Sequence, residues 1–171
     1  QEIILSRQQF VEKLKVYATD IHKEISGNKE KLEINYQSAT KNAERGEIFN
    51  DLLDKLNKNQ KEDIVKGNTA IGPHREDIGL KINGVDVRTF GSQGQQRTAA
   101  LALKLAEIDI LREKTGETPV LLLDDVMSEL DTDRQKFLIS RLHGIQTVIT
   151  CTGIDHSFEG AKVYFIKSGK I

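Results

Sequence analysis

The chain has 171 residues and is nearly neutral, with 25 lysines and arginines against 26 aspartates and glutamates. This length suits one domain or one and a half. The charge balance excludes the strong basic excess of many nucleic-acid-binding domains, so any such contact would come from a local patch or from residues outside this chain. A single cysteine excludes an internal disulfide framework and fits a reducing cytoplasm. No apolar run approaches the roughly 20 residues of a membrane span.

The first 66 residues predict charged amphipathic helices. Apolar residues recur at helical spacing and predict one long helix; they are Phe10, Leu14, Tyr17, Ile21 and Ile25. Ser6 and Gln9 fit a capping box at the start of this helix, and Gly27 is expected to end it.

A short strand and two further helices are predicted next. Residues 32–36 alternate between apolar and polar side chains, which is typical of a strand. Helices are expected at 39–57 and 60–65. Because the apolar stripes are narrow and the other faces are charged, we interpret 1–69 as a solvated helical arm packed on a body, in preference to a calmodulin-binding or membrane helix.

Residues 70–171 alternate strand and helix patterns. An Asn-Gly pair at 83–84 is a strong hairpin signal. The elements predicted after it are a loop at 89–94, a helix at 95–114, a strand at 120–125, a helix at 132–143 and strands at 147–150 and 162–166. The buried side of the first of these helices is predicted to carry Ala99, Ala102, Leu103, Ala106, Ile110 and Leu111. Strands alternating with helices indicate an α/β fold with a mainly parallel sheet and flanking helices.

Two carboxylates end an apolar strand. Val-Leu-Leu-Leu at 120–123 is followed by Asp124 and Asp125. Open α/β sheets bind ligands at the carboxyl ends of their strands. One carboxylate there can hold Mg²⁺, and the second can orient or deprotonate a water. A strand that simply ends in a polar turn is the alternative, and receiver and toprim-like domains also place acidic pairs at strand ends.

A glycine-containing loop opens the helix at 95–114. Residues 91–97 read Gly-Ser-Gln-Gly-Gln-Gln-Arg. Glycine lets the backbone approach an anion closely, Ser92 adds a hydroxyl donor, and the amides of a helix N-terminus favour a phosphate. The alternative interpretation is an ordinary serine-capped helix behind a glycine loop.

Three motifs follow one another in a characteristic order. Residues 92–95 resemble the signature loop of ABC-type ATPases, with Gln93 in place of its first glycine. Residues 120–125 look like a Walker B strand, and Ser-Glu-Leu-Asp at 128–131 is similar to a D-loop. This order of motifs resembles the C-terminal part of an ABC-type ATPase lobe.

Within that group, the chain is most similar to the RecF family of bacterial recombination mediators, which are SMC-like ATPases. The segments that carry the resemblance are 72–77, 90–98 and 122–131. The resemblance covers 70–171, whereas 1–66 matches only by its position, as the outer part of the family's helical lobe. The fold it implies is a partial ABC-type ATPase lobe plus an N-terminal helical arm.

The family's arrangement sandwiches ATP between the P-loop of one subunit and the signature loop of the other. The resemblance implies that Ser92 donates to the γ-phosphate in the opposite subunit, with support from Gly94 and Gln95. Asp124 would organise Mg²⁺ in its own subunit. Asp125 would be the catalytic residue, at a position where many ABC proteins have glutamate, and its shorter side chain fits slow hydrolysis.

The remaining implied residues lie further along the chain. Ser128 and Asp131 would sit at the dimer seam. Thr152 is the best candidate for the position of the family's switch histidine. His74 and Arg75 are interpreted as structural in preference to catalytic. No P-loop pattern is present, so the resemblance implies a piece of a longer protein that is inactive alone.

The resemblance implies an ATP-dependent homodimer that hydrolyses ATP weakly and binds gapped DNA. Its expected partners are RecO and RecR, and indirectly RecA, in DNA replication, recombination and the SOS response. We expect a cytoplasmic protein with no membrane contact. Two alternatives stay open: a non-enzymatic helical interaction module on a degenerate ATPase half, and a Mg²⁺-dependent phosphotransfer domain that uses Asp124 and Asp125 alone.

Overall fold

The computed structural model describes residues 1–41, 44–153 and 160–170. The chain divides into two units, Gln1–Glu117 and Thr118–Ile171. The first unit contains α1 (Glu2–Ile25), β1 (Leu32–Gln37), α2 (Arg45–Lys66), β2 (Asp77–Ile82), β3 (Val85–Asp86), α3 (Val87–Phe90) and α4 (Gln93–Thr115). The second contains β4 (Leu121–Asp124), α5 (Thr132–Arg141) and β5 (Thr147–Thr150). The division expected from the sequence, into a helical arm at 1–69 and part of an ATPase lobe at 70–171, stays a prediction.

Helix α1 confirms the predicted long helix but begins earlier. It starts at Glu2, so Ser6 lies inside it and the predicted capping box at Ser6 is wrong. Its buried face consists of Ile4, Val11, Leu14, Ala18, Ile21, His22 and Ile25. Phe10 is 40% exposed because it lies about 100° around the helix from Val11. In the N-terminal half of α1, the buried face therefore contains Val11 where the sequence predicts Phe10.

An antiparallel sheet forms the centre of the first unit. Its strand order is β1-β2-β3, with Leu32 opposite Ile82. Asn83 and Gly84 connect β2 to β3 with φ values of 52° and 81°, the left-handed pair that a type I′ hairpin turn needs. The predicted strand at 32–36 and the predicted hairpin are both confirmed.

Helix α2 is one continuous element. The sequence predicts two helices, 39–57 and 60–65, but the structure has a single helix, Arg45–Lys66. No glycine or proline separates the two predicted segments, so the hydrogen-bond ladder runs through. The helix ends at Gly67, whose φ of 68° is the left-handed conformation expected at a helix C-terminus.

Helices α1 and α4 pack antiparallel. In the middle of α1, Lys13 Nζ donates at 2.7 Å to Oε1 of Glu113, which lies near the C-terminal end of α4, and the Tyr17 hydroxyl donates to Glu113 Oε2 at 3.2 Å. The hydrogen bond from Lys13 lowers the pKa of Glu113, and the charge of Glu113 raises the pKa of Tyr17. These exposed contacts define the register in which the two helices meet.

Small side chains line the buried side of α4. Ala99, Ala102 and Ala106 are completely buried, as predicted, and their size allows a close approach of neighbouring backbone. The larger buried residues are Leu101, Leu105, Ile108 and Ile110. Leu111 is 44% exposed, so its predicted burial is wrong. The helix begins at Gln93, two residues before the predicted start.

The second unit has a parallel strand pair. Strands β4 and β5 pair in parallel, with Leu121 opposite Thr147 and Asp124 opposite Thr150. Leu138 of α5 is completely buried.

The predicted strand at 162–166 is not a strand in this structure. An alternation of apolar residues is not sufficient for a strand, because the backbone must also pair with a neighbouring strand. The helices and the parallel pair confirm the α/β class. Among the described residues, no helix is both long and apolar enough to span a membrane.

We predict that the buried side of α4 tolerates no larger side chain at Ala102. Ala102→Leu adds three carbon atoms at a completely buried position and is expected to lower the free energy of unfolding by about 1–3 kcal/mol. Urea denaturation followed by circular dichroism measures this. Lys104→Leu is the control, since Lys104 lies on the exposed side of the same helix. Equal stability of the two variants would contradict the packing described.

Candidate functional site

A tight turn places the signature-like loop at the start of α4. Short helix α3 ends at Phe90, and the Gly91 amide donates to the Val87 carbonyl at 3.0 Å. A Cβ atom on Gly91 would lie 2.5 Å from that carbonyl oxygen, so only glycine fits there. The turn therefore brings the chain directly into α4, with Ser92 as its N-cap residue.

A reciprocal capping box closes the first turn of α4. The Gln95 amide donates to Ser92 Oγ at 3.2 Å, and the Ser92 amide donates to Gln95 Oε1 at 3.0 Å. A hydroxyl that accepts still carries a proton to donate, and Ser92 is exposed. The amides of Gln93 and Gly94 have no acceptor within the helix. This geometry suits an anion at the helix end.

Gly94 keeps the surface of the loop open. A Cβ atom there would meet only Ser92 Oγ, at 4.0 Å. The packing of this chain therefore does not itself require glycine at position 94, and its absent side chain leaves room for an approaching group. The capped-helix alternative and the anion-binding interpretation of this loop are compatible, because Ser92 caps α4 and remains able to donate.

Two glutamine side chains hold the loop to its surroundings. Gln96 Nε2 donates to the Val87 carbonyl at 3.2 Å and to the Gly91 carbonyl at 3.1 Å. Gln95 Nε2 donates to Glu30 Oε1 at 2.9 Å. The sequence predicted Gln95 as a functional residue but gave no indication of Glu30, which lies 65 residues away.

The segment at 72–77 contains a buried carboxylate. Glu76 Oε1 accepts from Ser38 Oγ and from the Ala39 amide, each at 2.9 Å. Its Oε2 accepts from the Tyr36 hydroxyl and lies 3.5 Å from Arg7 Nη1. The side chain is only 1% exposed. Glu76 therefore ties β1 and α1 to the start of β2.

The partners of Glu76 determine its ionisation. Burial raises its pKa, but the hydrogen bonds from Tyr36, Ala39 and Ser38 and the charge of Arg7 outweigh burial and leave the pKa below the ordinary 4.5. Burial, together with the hydrogen bond to Glu76, raises the pKa of Tyr36 to about 12. The cluster therefore contains an ionised carboxylate and a neutral phenol at neutral pH.

His74 and Arg75 hold the turn that follows α2. His74 Nε2 lies 3.1 Å from the Thr69 carbonyl oxygen. Arg75 Nε donates to the same oxygen at 3.2 Å, and Arg75 Nη2 donates to Asn68 Oδ1 at 3.1 Å. These contacts fit the structural role expected for both residues.

The predicted acidic pair lies at the end of β4. Asp124 and Asp125 are both exposed. Thr150, opposite Asp124 on β5, donates its hydroxyl to Asp124 Oδ1. The same hydroxyl accepts from the Asp125 amide at 3.0 Å. Thr150 therefore orients one carboxylate and the backbone of the next residue, a role that the sequence did not indicate.

Asp125 has an unusual backbone conformation. Its φ of 50° and ψ of 20° are left-handed, which is uncommon for a residue other than glycine. It turns the chain from β4 into the 3₁₀ turn Val126–Glu129. Ser128 Oγ donates to the Asp125 carbonyl at 2.9 Å and fixes this turn. Strained backbone of this kind clusters at functional sites.

Asp131 caps helix α5. Its Oδ1 accepts from the Arg134 amide at 3.0 Å, and its Oδ2 forms an ion pair with the Arg134 guanidinium. The backbone hydrogen bond from Arg134 is the main cause that lowers the pKa of Asp131. Gln135 Nε2 donates to the carbonyls of Met127 and Leu130, at 2.8 Å and 3.1 Å. Hydrogen bonds with the first turn of α5 therefore fix the backbone of the D-loop-like segment at 128–131.

The predicted site residues fall into the two units. Ser92, Gly94 and Gln95 belong to the first unit and form one capped helix start, whereas the acidic pair and the 128–131 segment belong to the second. Thr152 is exposed and lies two residues beyond β5. Within the described part of the chain, no group of three or more His, Cys, Asp or Glu residues is placed to hold a metal ion.

We predict that Glu76→Gln lowers the free energy of unfolding by about 2–3 kcal/mol, since hydrogen bonds to a buried charge are lost. Because the folded pKa of Glu76 is below 4.5, its contribution is complete above pH 4.5 and is lost as the pH falls through the folded pKa. The variant should show a weaker loss of stability in acid, measured by urea denaturation from pH 3 to 7. Glu24→Gln, at an exposed position of α1, is the control. An unchanged acid profile in Glu76→Gln would overturn this prediction.

A second prediction concerns Thr150. Thr150→Val keeps the shape of the side chain but removes the hydroxyl shared by Asp124 and Asp125, and it should cost about 1 kcal/mol of stability. Thr150→Ser keeps the hydroxyl and should stay close to the unsubstituted protein. Chemical denaturation midpoints of the three proteins test this, and identical midpoints would rule out the bridging role.

Relatives with known descriptions match most or all of this chain. A Clostridium perfringens protein described as DNA replication and repair protein RecF is 44% identical over 175 residues, which cover 100% of this chain and 48% of that protein. A Clostridium acetobutylicum protein with the same description is 49% identical over 152 residues, covering 89% and 41%. The chain thus spans about half the length of these relatives. No protein-family model matches it.

Solved structures agree with these relatives. A structure described as the recombination mediator protein RecF-ATPrS in the RecFOR pathway matches with a TM-score of 0.80 and 44% identity, covering 95% of this chain and 45% of that one. A second, described as RecF-ATP in the same pathway, matches with a TM-score of 0.78 and 46% identity, covering 90% and 42%. The chain belongs to the RecF family and corresponds to the C-terminal half of its members.

Proposed function

We propose that this chain supplies the signature loop and the acidic strand of an ATP-dependent DNA-repair protein whose subunits dimerise around ATP. The observation that carries the proposal is the start of α4, where Ser92 caps the helix, is exposed and is still able to donate. Gly94 leaves the space beside it open. A solved relative whose description includes ATP supports nucleotide binding in the family.

The first proposed role is recognition of the partner's nucleotide. Ser92 would donate to the γ-phosphate of ATP held by the opposite subunit, and the Gly94 amide would add a second donor from the helix N-terminus. Gln95 would support both by holding the capping box. Because these donors are anchored before ATP arrives, little ordering is required when the dimer forms.

The second proposed role is support of Mg²⁺ and hydrolysis. Asp124 would bind Mg²⁺, with Thr150 orienting its carboxylate. Mg²⁺ commonly combines one or two carboxylates with phosphate oxygens and waters, so an exposed single carboxylate fits this ion. Asp125 would orient the attacking water, and Ser128 and Asp131 would lie at the dimer seam.

Other parts of the proposal rest on the family alone. Thr152 would occupy the position of the switch histidine. The complete protein would act in the cytoplasm on gapped DNA, with RecO and RecR, and would help to load RecA. The near-neutral charge of this chain gives DNA binding no independent support, so the DNA contact is proposed from membership of the family.

We predict that Ser92→Arg, in the complete protein that carries this chain, abolishes ATP-dependent dimerisation. The added side chain occupies the space in which the phosphate would lie, and the lost hydrogen bond to a charged group alone should weaken ATP-dependent association about tenfold or more. Asp124→Asn should instead retain association and slow Mg²⁺-dependent hydrolysis about tenfold or more, because the metal loses a charged ligand.

Analytical ultracentrifugation with and without ATP, together with phosphate release, measures both effects. Ser6→Arg is the matched control, since Ser6 is exposed on α1. Unchanged dimerisation of Ser92→Arg and unchanged hydrolysis by Asp124→Asn would favour the non-enzymatic interaction module. Mg²⁺-dependent phosphatase or nuclease activity of the chain alone would favour the phosphotransfer domain.

A further inference from the structure

Glu30 is a carboxylate of low exposure between α1 and β1. Its side chain is 19% exposed, and it faces a completely buried histidine, His22 of α1. Glu30 Oε2 lies 3.7 Å from His22 Nε2. Its other oxygen, Oε1, accepts from Gln95 Nε2 at 2.9 Å. The residue therefore lies between the end of α1 and the start of α4.

The carboxylate of Glu30 determines which way the Gln95 amide points. An ionised carboxylate only accepts hydrogen bonds, whereas an amide has one accepting end and one donating end. With its NH₂ group toward Glu30, Gln95 must present Oε1 to the Ser92 amide, which is 3.0 Å away. The opposite orientation would place two oxygens against each other and would leave the Ser92 amide facing a donor.

We propose that Glu30 is a positioning residue for the signature loop and acts through Gln95. By selecting the orientation of the Gln95 amide, it completes the capping box and holds Ser92 in the position from which it meets a phosphate. On the side of α1, His22 Nε2 lies 3.7 Å from the carboxylate. The inference rests on the proposed function, in which the loop contacts the nucleotide of the opposite subunit.

The first test measures the ATP concentration that gives half-maximal dimerisation of the complete protein. Glu30→Ala should raise this concentration about fivefold, which corresponds to the loss of one hydrogen bond to a charged group that acts indirectly. Glu30→Gln keeps an oxygen that accepts from Gln95 and should stay within about twofold of the unsubstituted protein. Glu33→Ala is the matched control, since Glu33 is a half-exposed carboxylate on β1.

A double variant separates positioning from general stability. If Glu30 acts through Gln95, Glu30→Ala should add nothing further to the effect of Gln95→Ala on the ATP requirement. Independent, additive effects would overturn the proposal, as would an unchanged ATP requirement in Glu30→Ala. Thermal unfolding of each variant shows whether the chain remains folded.

An exchanged pair gives a test that does not create a cavity. Gln95→Glu should impair ATP-dependent dimerisation, because two carboxylates then face each other. Adding Glu30→Gln restores one donor and one carboxylate with the positions reversed, and the ATP requirement should return toward that of the unsubstituted protein. Failure of the exchanged pair to recover at all would count against a direct contact between the two side chains.

The outcomes also separate this inference from the proposed function. Normal ATP-dependent dimerisation of both Ser92→Arg and Gln95→Ala overturns the proposed function, and with it the role of Glu30. Impaired dimerisation of these two variants with a normal Glu30→Ala variant overturns the role of Glu30 alone.

Discussion

The start of α4 is the constraint on which the signature-like loop depends. The first amides of a helix lack carbonyl partners within it, and the Ser92–Gln95 capping box satisfies one of them while defining where the helix begins. Gly91 lies so close to the Val87 carbonyl that a larger residue would not fit, and this contact restricts how the chain enters α4. The antiparallel packing of α1 on α4 and the contact from Glu30 then hold this helix start against the rest of the first unit. The position of the loop thus follows from packing well outside its own four residues.

Elements governed by local chemistry could be predicted from the sequence. The Asn83-Gly84 pair needs only its own left-handed backbone to make a hairpin. The apolar runs that form β4 and β5 have the length and composition of strands, although Leu122 and Val148 are exposed in this structure. The start of α1 and the continuity of α2 could not be predicted, because helix ends depend on neighbours and on weak preferences of individual residues. The segment 162–166 has a strand-like pattern, yet a strand also needs a partner, which no local pattern specifies.

In the candidate site, too, some residues could be predicted from local sequence and others could not. Ser92, Asp124 and Asp131 lie in short motifs, and the order of these motifs along the chain led to the roles proposed for them. Thr150 and Glu30 lie 26 and 65 residues from the side chains that they contact, so only the folded chain brings each pair together. Residues that orient others carry no motif of their own. They must be found from the hydrogen bonds of the folded chain.

The backbone of Asp125 shows where this chain accepts a cost in stability. A glycine would adopt its left-handed φ of 50° more easily than any residue with a Cβ atom. An aspartate there keeps a carboxylate next to Asp124 but gives up part of the folding free energy. A variant selected only for thermal tolerance would therefore be drawn toward glycine at this position, which would remove the carboxylate that follows Asp124.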